Sequence, residues 1–321
     1  MNRYLITGAT GYIGSMLTTN LIKDPSATVT VIVRDVARAK VLLPDNVEII
    51  QADITDASKL QTLQTQCFDY IIHCASPTKS SYMLANPSAT SATIIEGTRN
   101  ILEIARYCNP RSVVFLSSME VYGSIDCSDG HRVTEDETGY IDANNPRSCY
   151  PLGKLTAEEL CHSYCREYGV PVKIARLAQT FGKGVLPEDT RVFMQFVNAV
   201  LSGTDIILHT TGNSMGNYCE INDALNGILT ILHKGNNGEA YNVVNEANTM
   251  RIREMSELVA SEIAHNNISV IYDIPDDNRY GYAADTGLKL SSAKLMALGW
   301  HPTHSLKEMY QDIISERKDI E

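Results

Sequence analysis

Residues 4–14 read Tyr4-Leu5-Ile6-Thr7-Gly8-Ala9-Thr10-Gly11-Tyr12-Ile13-Gly14. An apolar run of strand length stops at a glycine, and a helix-like stretch over residues 13–22 opens at the third glycine. Glycines at 8, 11 and 14 allow a tight turn, close approach of backbone to a pyrophosphate, and packing of the helix on its strand. The helix start then offers unpaired N–H groups and a positive dipole end to phosphates. Three glycines alone mean little. Set between a strand and a helix at the head of the chain, they read as a dinucleotide-binding turn in which Thr10, Tyr12 and Ile13 also face the ligand.

Working outward, short apolar runs alternate with helical stretches. Residues 29–33, 47–51, 70–73, 112–117 and 172–176 read as strands, and 94–107 and 150–168 as helices. Continuous apolar strands separated by helices predict a parallel sheet covered on both faces, an α/β doubly wound, Rossmann-like architecture. After residue 176 the rhythm breaks. Helices are predicted over 192–201, 223–233, 255–264 and 292–298, with short strands at 206–209 and 240–244. We therefore expect a dinucleotide-binding domain over 1–176, with 217–245 returning to it. A smaller C-terminal substrate lobe is expected from 177–216 and 246–321.

The end of the second strand selects between the two nicotinamide dinucleotides, because an acid there suits ribose hydroxyls and Arg suits a 2′-phosphate. Here the chain reads Val31-Ile32-Val33-Arg34-Asp35, with Arg38 one helical turn on. Arg34 stands where the acid is expected, which leans the choice to NADP, while Asp35 keeps NAD open. Asp53, ending the third strand, is placed either to meet the adenine amino group or to cap the following helix. Ile54 and Ala75 line the same edge.

Ser118 and Glu120, in Ser117-Ser118-Met119-Glu120-Val121-Tyr122-Gly123, lie at the end of the fifth strand, the edge where open α/β sheets bind ligands. Downstream comes Tyr150-Pro151-Leu152-Gly153-Lys154. Positions i and i+4 share a helix face, so phenol and ammonium point the same way. A phenol titrates near ~10, and bringing it to neutrality takes about 4 kcal/mol of differential stabilisation. Lys154 and a bound nicotinamide ring are the cations placed to supply it. Ser118 would hold the reacting oxygen against the ring.

This ordered set resembles the extended short-chain dehydrogenase/reductase family, in particular its sugar-nucleotide epimerases, dehydratases and decarboxylases. The likeness runs through residues 7–14, Asp53, His73-Cys74-Ala75, Gly97-Thr98, residues 117–123, Tyr150, Lys154 and Leu298-Gly299-Trp300. Arg147-Ser148-Cys149-Tyr150 and Asp189-Thr190-Arg191-Val192 look like the UDP-glucuronate decarboxylase branch. The resemblance implies that Tyr150 takes a proton from the sugar 4-hydroxyl as hydride leaves C4. It also implies that Lys154 holds the nicotinamide ribose, Ser118 the 4-oxygen, and that Gln179, Arg191 and Arg279 contact substrate. A homodimer through the two helices near 94–107 and 150–168 is implied as well. Two departures stand out. Met119 replaces the acid that protonates the leaving 6-hydroxyl in 4,6-dehydratases, which disfavours dehydration and leaves Glu120 either as the acid/base near C5 or as a hydrogen-bond partner of the sugar. Gly216, in Gly212-Asn213-Ser214-Met215-Gly216-Asn217-Tyr218, stands where an Arg usually grips the diphosphate, and Glu220 replaces a usual aromatic or His.

Bulk properties narrow the partners. The 321 residues carry 27 basic and 38 acidic groups, a formal charge of −11. Such a surface repels nucleic acid and anionic lipid. Eight cysteines show no metal-ligand spacing, so no metal is expected, and scattered reduced thiols fit a cytoplasmic protein. His73 reads as a packed histidine below the cofactor. The resulting expectation is an NAD(P)-dependent enzyme that oxidises C4 of a nucleotide sugar transiently, as a 4-epimerase or a decarboxylase. An NADPH-dependent carbonyl reductase and a non-catalytic dinucleotide sensor are the alternatives.

Overall fold

The computed structural model describes residues 2–276 and 285–319. In chain order the strands are β1 (Asn2–Thr7), β2 (Ala27–Val33), β3 (Glu48–Gln51), β4 (Tyr70–His73), β5 (Ser112–Ser118) and β6 (Val172–Leu177), then β7 (Gln179–Phe181), β8 (Ile206–Leu208), β9 (Met215–Glu220), β10 (Ala240–Val243), β11 (Asn245–Arg251) and β12 (Val270–Tyr272). The longer helices are α1 (Tyr12–Leu21), α2 (Val36–Leu42), and, after the short α3 (Ala57–Leu60) and α4 (Ser80–Ala85), α5 (Pro87–Cys108) and α6 (Cys149–Tyr168). They continue with α7 (Val192–Ser202), α8 (Ile221–Lys234), α9 (Ile252–Leu258), the short α10 (Ala293–Met296) and α11 (Leu306–Lys318).

Among the described residues, seven strands form a parallel sheet in the order β10-β6-β5-β4-β1-β2-β3. One face is covered by α1, α2 and α8 through Leu17, Ala39, Leu225 and Ile228. The other is covered by α5 and α6 through Ile94, Ile101, Ala157 and Cys161. The strands are β-branched and apolar on both sides because both faces are dry. Since β1 pairs with β4 on one side and β2 on the other, the chain reverses direction across the sheet there. That leaves a crevice above the carboxyl ends of the strands, where such sheets take ligands.

A second sheet, β11-β9-β7, and the β12-β8 pair sit beside it. Their core is aromatic: Phe181 stacks on Phe193 at 4.1 Å, and Tyr218 and Tyr310 meet Phe181 edge-on. The sequence pattern did not reveal this sheet. Strands β9 and β11 carry Asn217 and Asn248, buried because their amides bond Leu288 O, Leu290 N, His304 O and Leu306 N, partners far away in sequence. Helix α5 begins at Pro87, seven residues before its apolar period does, with Pro in the first turn as helix starts favour. The single helix expected over 255–264 is instead α9 followed by a π-helical turn, Val259–Ile263.

One buried ion pair ties the layers together. Glu158 on α6 takes Arg176 of β6 in a bidentate grip, Nη2 to Oε2 at 2.8 Å and Nε to Oε1 at 3.1 Å, and also accepts the Ser117 hydroxyl of β5. Arg176 Nη1 donates to Tyr122 Oη at 3.0 Å, which donates in turn to Asn242 of β10 at 2.7 Å. With both partners buried, removing one leaves an uncompensated charge. Glu158→Leu is expected to lose about 3–5 kcal/mol in denaturant unfolding, and Glu158→Leu with Arg176→Met to recover most of it. Equal losses in the single and double variants would contradict this.

Candidate active site

The glycine turn is shaped by close approach. Gly8 has φ +70°, and a Cβ there would lie 2.7 Å from Ala75 N, so the turn rests directly on the end of β4. Below it, Ala75 N donates to Thr7 Oγ1, which meets His73 Nδ1 at 2.6 Å, and His73 Nε2 meets Thr98 Oγ1 at 3.1 Å. Burial and the Lys154 charge push the His73 pKa down to about 3, so it is a neutral strut. Helix α1 starts at Gly11 with no side-chain cap and no acid in its first turn. Its first N–H groups and dipole therefore suit a pyrophosphate, and this turn, with Thr10, Tyr12, Ile13 and Gly14, fits a dinucleotide.

At the adenosine end, Arg34 Nη1 lies 3.9 Å from Asp53 and its side chain is 75% exposed. Asp35 is committed to capping α2 through Arg38 N at 2.9 Å. Arg38 itself reaches across to Glu188 at 2.7 Å. Asp53 accepts from Thr55 N and Oγ1, while Asp56, not Asp53, caps α3. Ile54 is buried against Gly97 of α5, and Asn100 donates to its carbonyl at 2.8 Å.

Beyond the turn, α6 and β5 bring Tyr150, Lys154, Ser118 and Glu120 together. Lys154 is 2% exposed and donates to Leu116 O at 2.7 Å. Burial lowers its pKa to about 8. Tyr150 is also buried. Desolvation first, then the Glu120 carboxylate, raise its phenol well above the ordinary value, against a hydrogen bond with Ser118 and the charges of Arg147 and Arg191. The protein's own groups thus hold it as a phenol, and further positive charge is required to make it a base.

The sequence left Arg147 without a role, although the residue stands in the quoted Arg147-Ser148-Cys149-Tyr150 stretch. Its Nη2 meets Glu120 Oε1 at 2.9 Å, its Nε donates to Ser80 Oγ at 3.2 Å, and its centre lies 5.2 Å from the Tyr150 ring. Nη1 is buried without a hydrogen-bond partner among the described residues. A strand-end carboxylate and a helix-entry arginine are far apart in sequence, and only the fold joins them.

On the lobe side, Arg191 is gripped by Asp189 at 2.6 Å and lies over Phe193, near enough for its charge to act on both Tyr12 and Tyr150. Gln179 opens β7 beside Tyr218 of β9. Lys183 pairs with Asp312 at 3.3 Å. Arg279 lies outside the described residues. The glycine at 216 has a packing reason: a Cβ there would overlap the hydroxyl and ring of Tyr218, so any side chain, arginine included, requires the buried Tyr218 to move. Glu220, which replaces a usual aromatic or His, has a structural task. It is buried, caps α8 through Asn222 N and Asp223 N, and burial raises its pKa. Glu220, Asp223 and His304 bring three potential metal-ligand atoms within 4.8 Å of one another, but Asp223 already accepts from Thr303 N, Thr303 Oγ1 and His304 N.

A parallel sheet with a glycine turn at its switch point, and a Ser–Tyr–Lys set above it, defines a nicotinamide-dinucleotide enzyme of the short-chain dehydrogenase type. The chain belongs to the NAD-dependent epimerase/dehydratase family, whose model matches residues 4–245. It is 30% identical over 313 residues to UDP-glucuronic acid decarboxylase 1 of Danio rerio, covering 95% of this chain and 70% of that one. Its fold matches the UDP-glucose 4-epimerase of Thermotoga maritima with a TM-score of 0.86 at 22% identity, over 99% of this chain and 100% of the other. It also matches a UDP-glucuronic acid 4-epimerase of Bacillus cereus with a TM-score of 0.81 at 21% identity, over 99% and 100%. Among the described residues, no helix is long and apolar enough to cross a membrane.

The buried ammonium yields a stability prediction with a definite sign. A lysine whose folded pKa falls to about 8 penalises the fold while charged, and the penalty fades as pH rises from there towards the unfolded value. Lys154→Met should therefore be more stable than wild type at pH 7, by about 2 kcal/mol. That advantage should shrink towards zero by about pH 10.5. Thermal unfolding across this range checks it; a pH-independent difference would contradict it.

Proposed function

We propose that the protein oxidises C4 of a nucleotide sugar bearing a C6 carboxylate, decarboxylates it, and returns the hydride to C4. The observation that carries this reading is the Glu120–Arg147 pair set beside Ser118 and Tyr150, with a buried guanidinium nitrogen of Arg147 that has no hydrogen-bond partner among the described residues. Relatives that are UDP-glucuronic acid decarboxylases support the same substrate class. A UDP-sugar 4-epimerase is the second reading, since Met119 denies the site its dehydratase acid in either case. A net carbonyl reductase is favoured only by Arg34 and Gly216, and a sensor leaves the Ser–Tyr–Lys set without a task.

Gly8, Gly11 and Gly14 with the first turn of α1 would hold the pyrophosphate, and Lys154 the nicotinamide ribose. When bound, the dinucleotide supplies a hydride acceptor for C4. Tyr150 Oη takes the 4-hydroxyl proton while the Ser118 hydroxyl holds O4. Lys154 contributes the charge that its burial makes effective. Arg147 Nη1 receives the sugar carboxylate by a charge-assisted bond. Once C4 is a ketone, the C6 carboxylate is β to it. The C5–C6 bond then breaks, carbon dioxide leaves, and the electron pair passes to the C4 oxygen as an enolate; C5 then takes a proton from water, with the Glu120 carboxylate placed to relay it. Residues 177–216 and 246–321 form the substrate lobe in this reading, with Gln179 and Arg191 as contacts. Arg34 favours the 2′-phosphate of NADP, and the engagement of Arg38 by Glu188 opposes it.

A cytoplasmic location and a homodimer belong to the same reading. Eight free thiols support the first, and exposed Tyr107 and Tyr168 on α5 and α6 support the second.

Incubation with UDP-glucuronic acid, followed by proton NMR, tests the activity. Equimolar carbon dioxide and a UDP-pentose are expected, with no net change in reduced-nicotinamide absorbance. Formation of the 4-epimer would transfer the assignment to the second reading, and stoichiometric cofactor consumption would overturn both. Tyr150→Phe is expected to lower turnover about 10²–10⁴-fold with the fold intact by circular dichroism.

A further inference from the structure

The loop from β7 to α7 does more than carry Arg191. It is anchored before and after its tip. Glu316 accepts Gly184 N at 2.8 Å, Arg317 donates to Val185 O at 2.7 Å, and Asp189 grips Arg191. Between these anchors, Leu186, Pro187 and Glu188 lean over α2, sharing with Ala37, Val41 and Leu42 a groove of about 450 Å³. The polar contact across that groove is Glu188 Oε1 to Arg38 Nη2 at 2.7 Å. A residue 150 positions away thus occupies the cation one helical turn beyond Arg34.

Resting on the dinucleotide reading of the cleft, we infer that Glu188 biases the choice between NAD and NADP towards NAD. Arg34 and Arg38 together form the cationic pair a 2′-phosphate requires, and Glu188 holds one of them in reserve. A ribose 2′-hydroxyl makes no demand on Arg38, so NAD enters with the bridge intact. A 2′-phosphate must take Arg38 from Glu188 and lie beside the displaced carboxylate. Both requirements weaken NADP relative to NAD. With both side chains nearly half-exposed, the bridge breaks at low cost, so the effect is a bias in affinity rather than an exclusion. Lys79, after β4, also attracts Glu188, so the released carboxylate has another cation to approach.

Fluorescence titration of the full chain with NADH and NADPH tests this without any assay of turnover. Glu188→Gln is expected to tighten NADPH about 5–10-fold and to leave NADH within about two-fold, at low ionic strength where charge contacts are least screened. Arg38→Ala should weaken NADPH about ten-fold, and in that background Glu188→Gln should tighten NADPH by a factor different from that in wild type, because the part of its effect that acts through Arg38 is gone and only the repulsion of the phosphate by the carboxylate remains. A Glu188→Gln variant that shifts both nucleotides equally, or neither, would overturn the inference while leaving the dinucleotide site standing. Failure of wild type to bind either nucleotide would overturn the site and the inference together.

Discussion

An ammonium group 2% exposed, held by one backbone carbonyl of β5, is the constraint around which this molecule is arranged. Lys154 is attached to a helix that must lie tightly on the sheet to bury it. The same face of α6 carries Tyr150 one turn before and Glu158 one turn after. Gly153 lets this helix come within contact distance of Ile94 on α5. Glu158 then closes the buried pair with Arg176, so the helix is fixed at two successive turns and Tyr150 is presented at the end of β5. The desolvation that lowers the lysine also strengthens every charge interaction around it.

Charge balance in that pocket directs the chemistry. Burial and Glu120 hold the phenol protonated, while Arg147, Arg191 and Ser118 act against them. The site is thus poised, needing added positive charge to turn Tyr150 into a base. Glu120 is tied to Arg147, one nitrogen of which is buried without a hydrogen-bond partner among the described residues, and the proposed carboxylate-bearing sugar is the ligand that would engage it. The Tyr218 ring occupies the space that a side chain at 216 would need, and Arg251 and Arg253 flank the preceding turn through Asn213.

What could be read in the sequence was local and periodic. The glycine turn, the parallel strands, and the i, i+4 spacing of Tyr150 and Lys154 follow from short-range rules, and the doubly wound sheet followed with them. The unread parts depend on long-range partners. Strands β9 and β11 carry buried asparagines whose bonds lie some 55–75 residues away, so no alternation marks them. Arg147 gains its meaning from Glu120, and Arg38 from Glu188, through contacts made only after folding. Glu220 stood out in the sequence only as the replacement of a usual aromatic or His, because a helix cap is visible only once the helix start is known. Asp53 offered two local readings, and the structure gives the capping task to Asp56 instead.

The most direct measurement uses a nucleotide sugar labelled with deuterium at C4, following both rate and label. If the buried Tyr–Lys pair works on C4, turnover slows with the label in place, and the product keeps its deuterium at that carbon. Unslowed turnover, or deuterium released into water, would mean that the C4–H bond is not the one this site breaks and remakes.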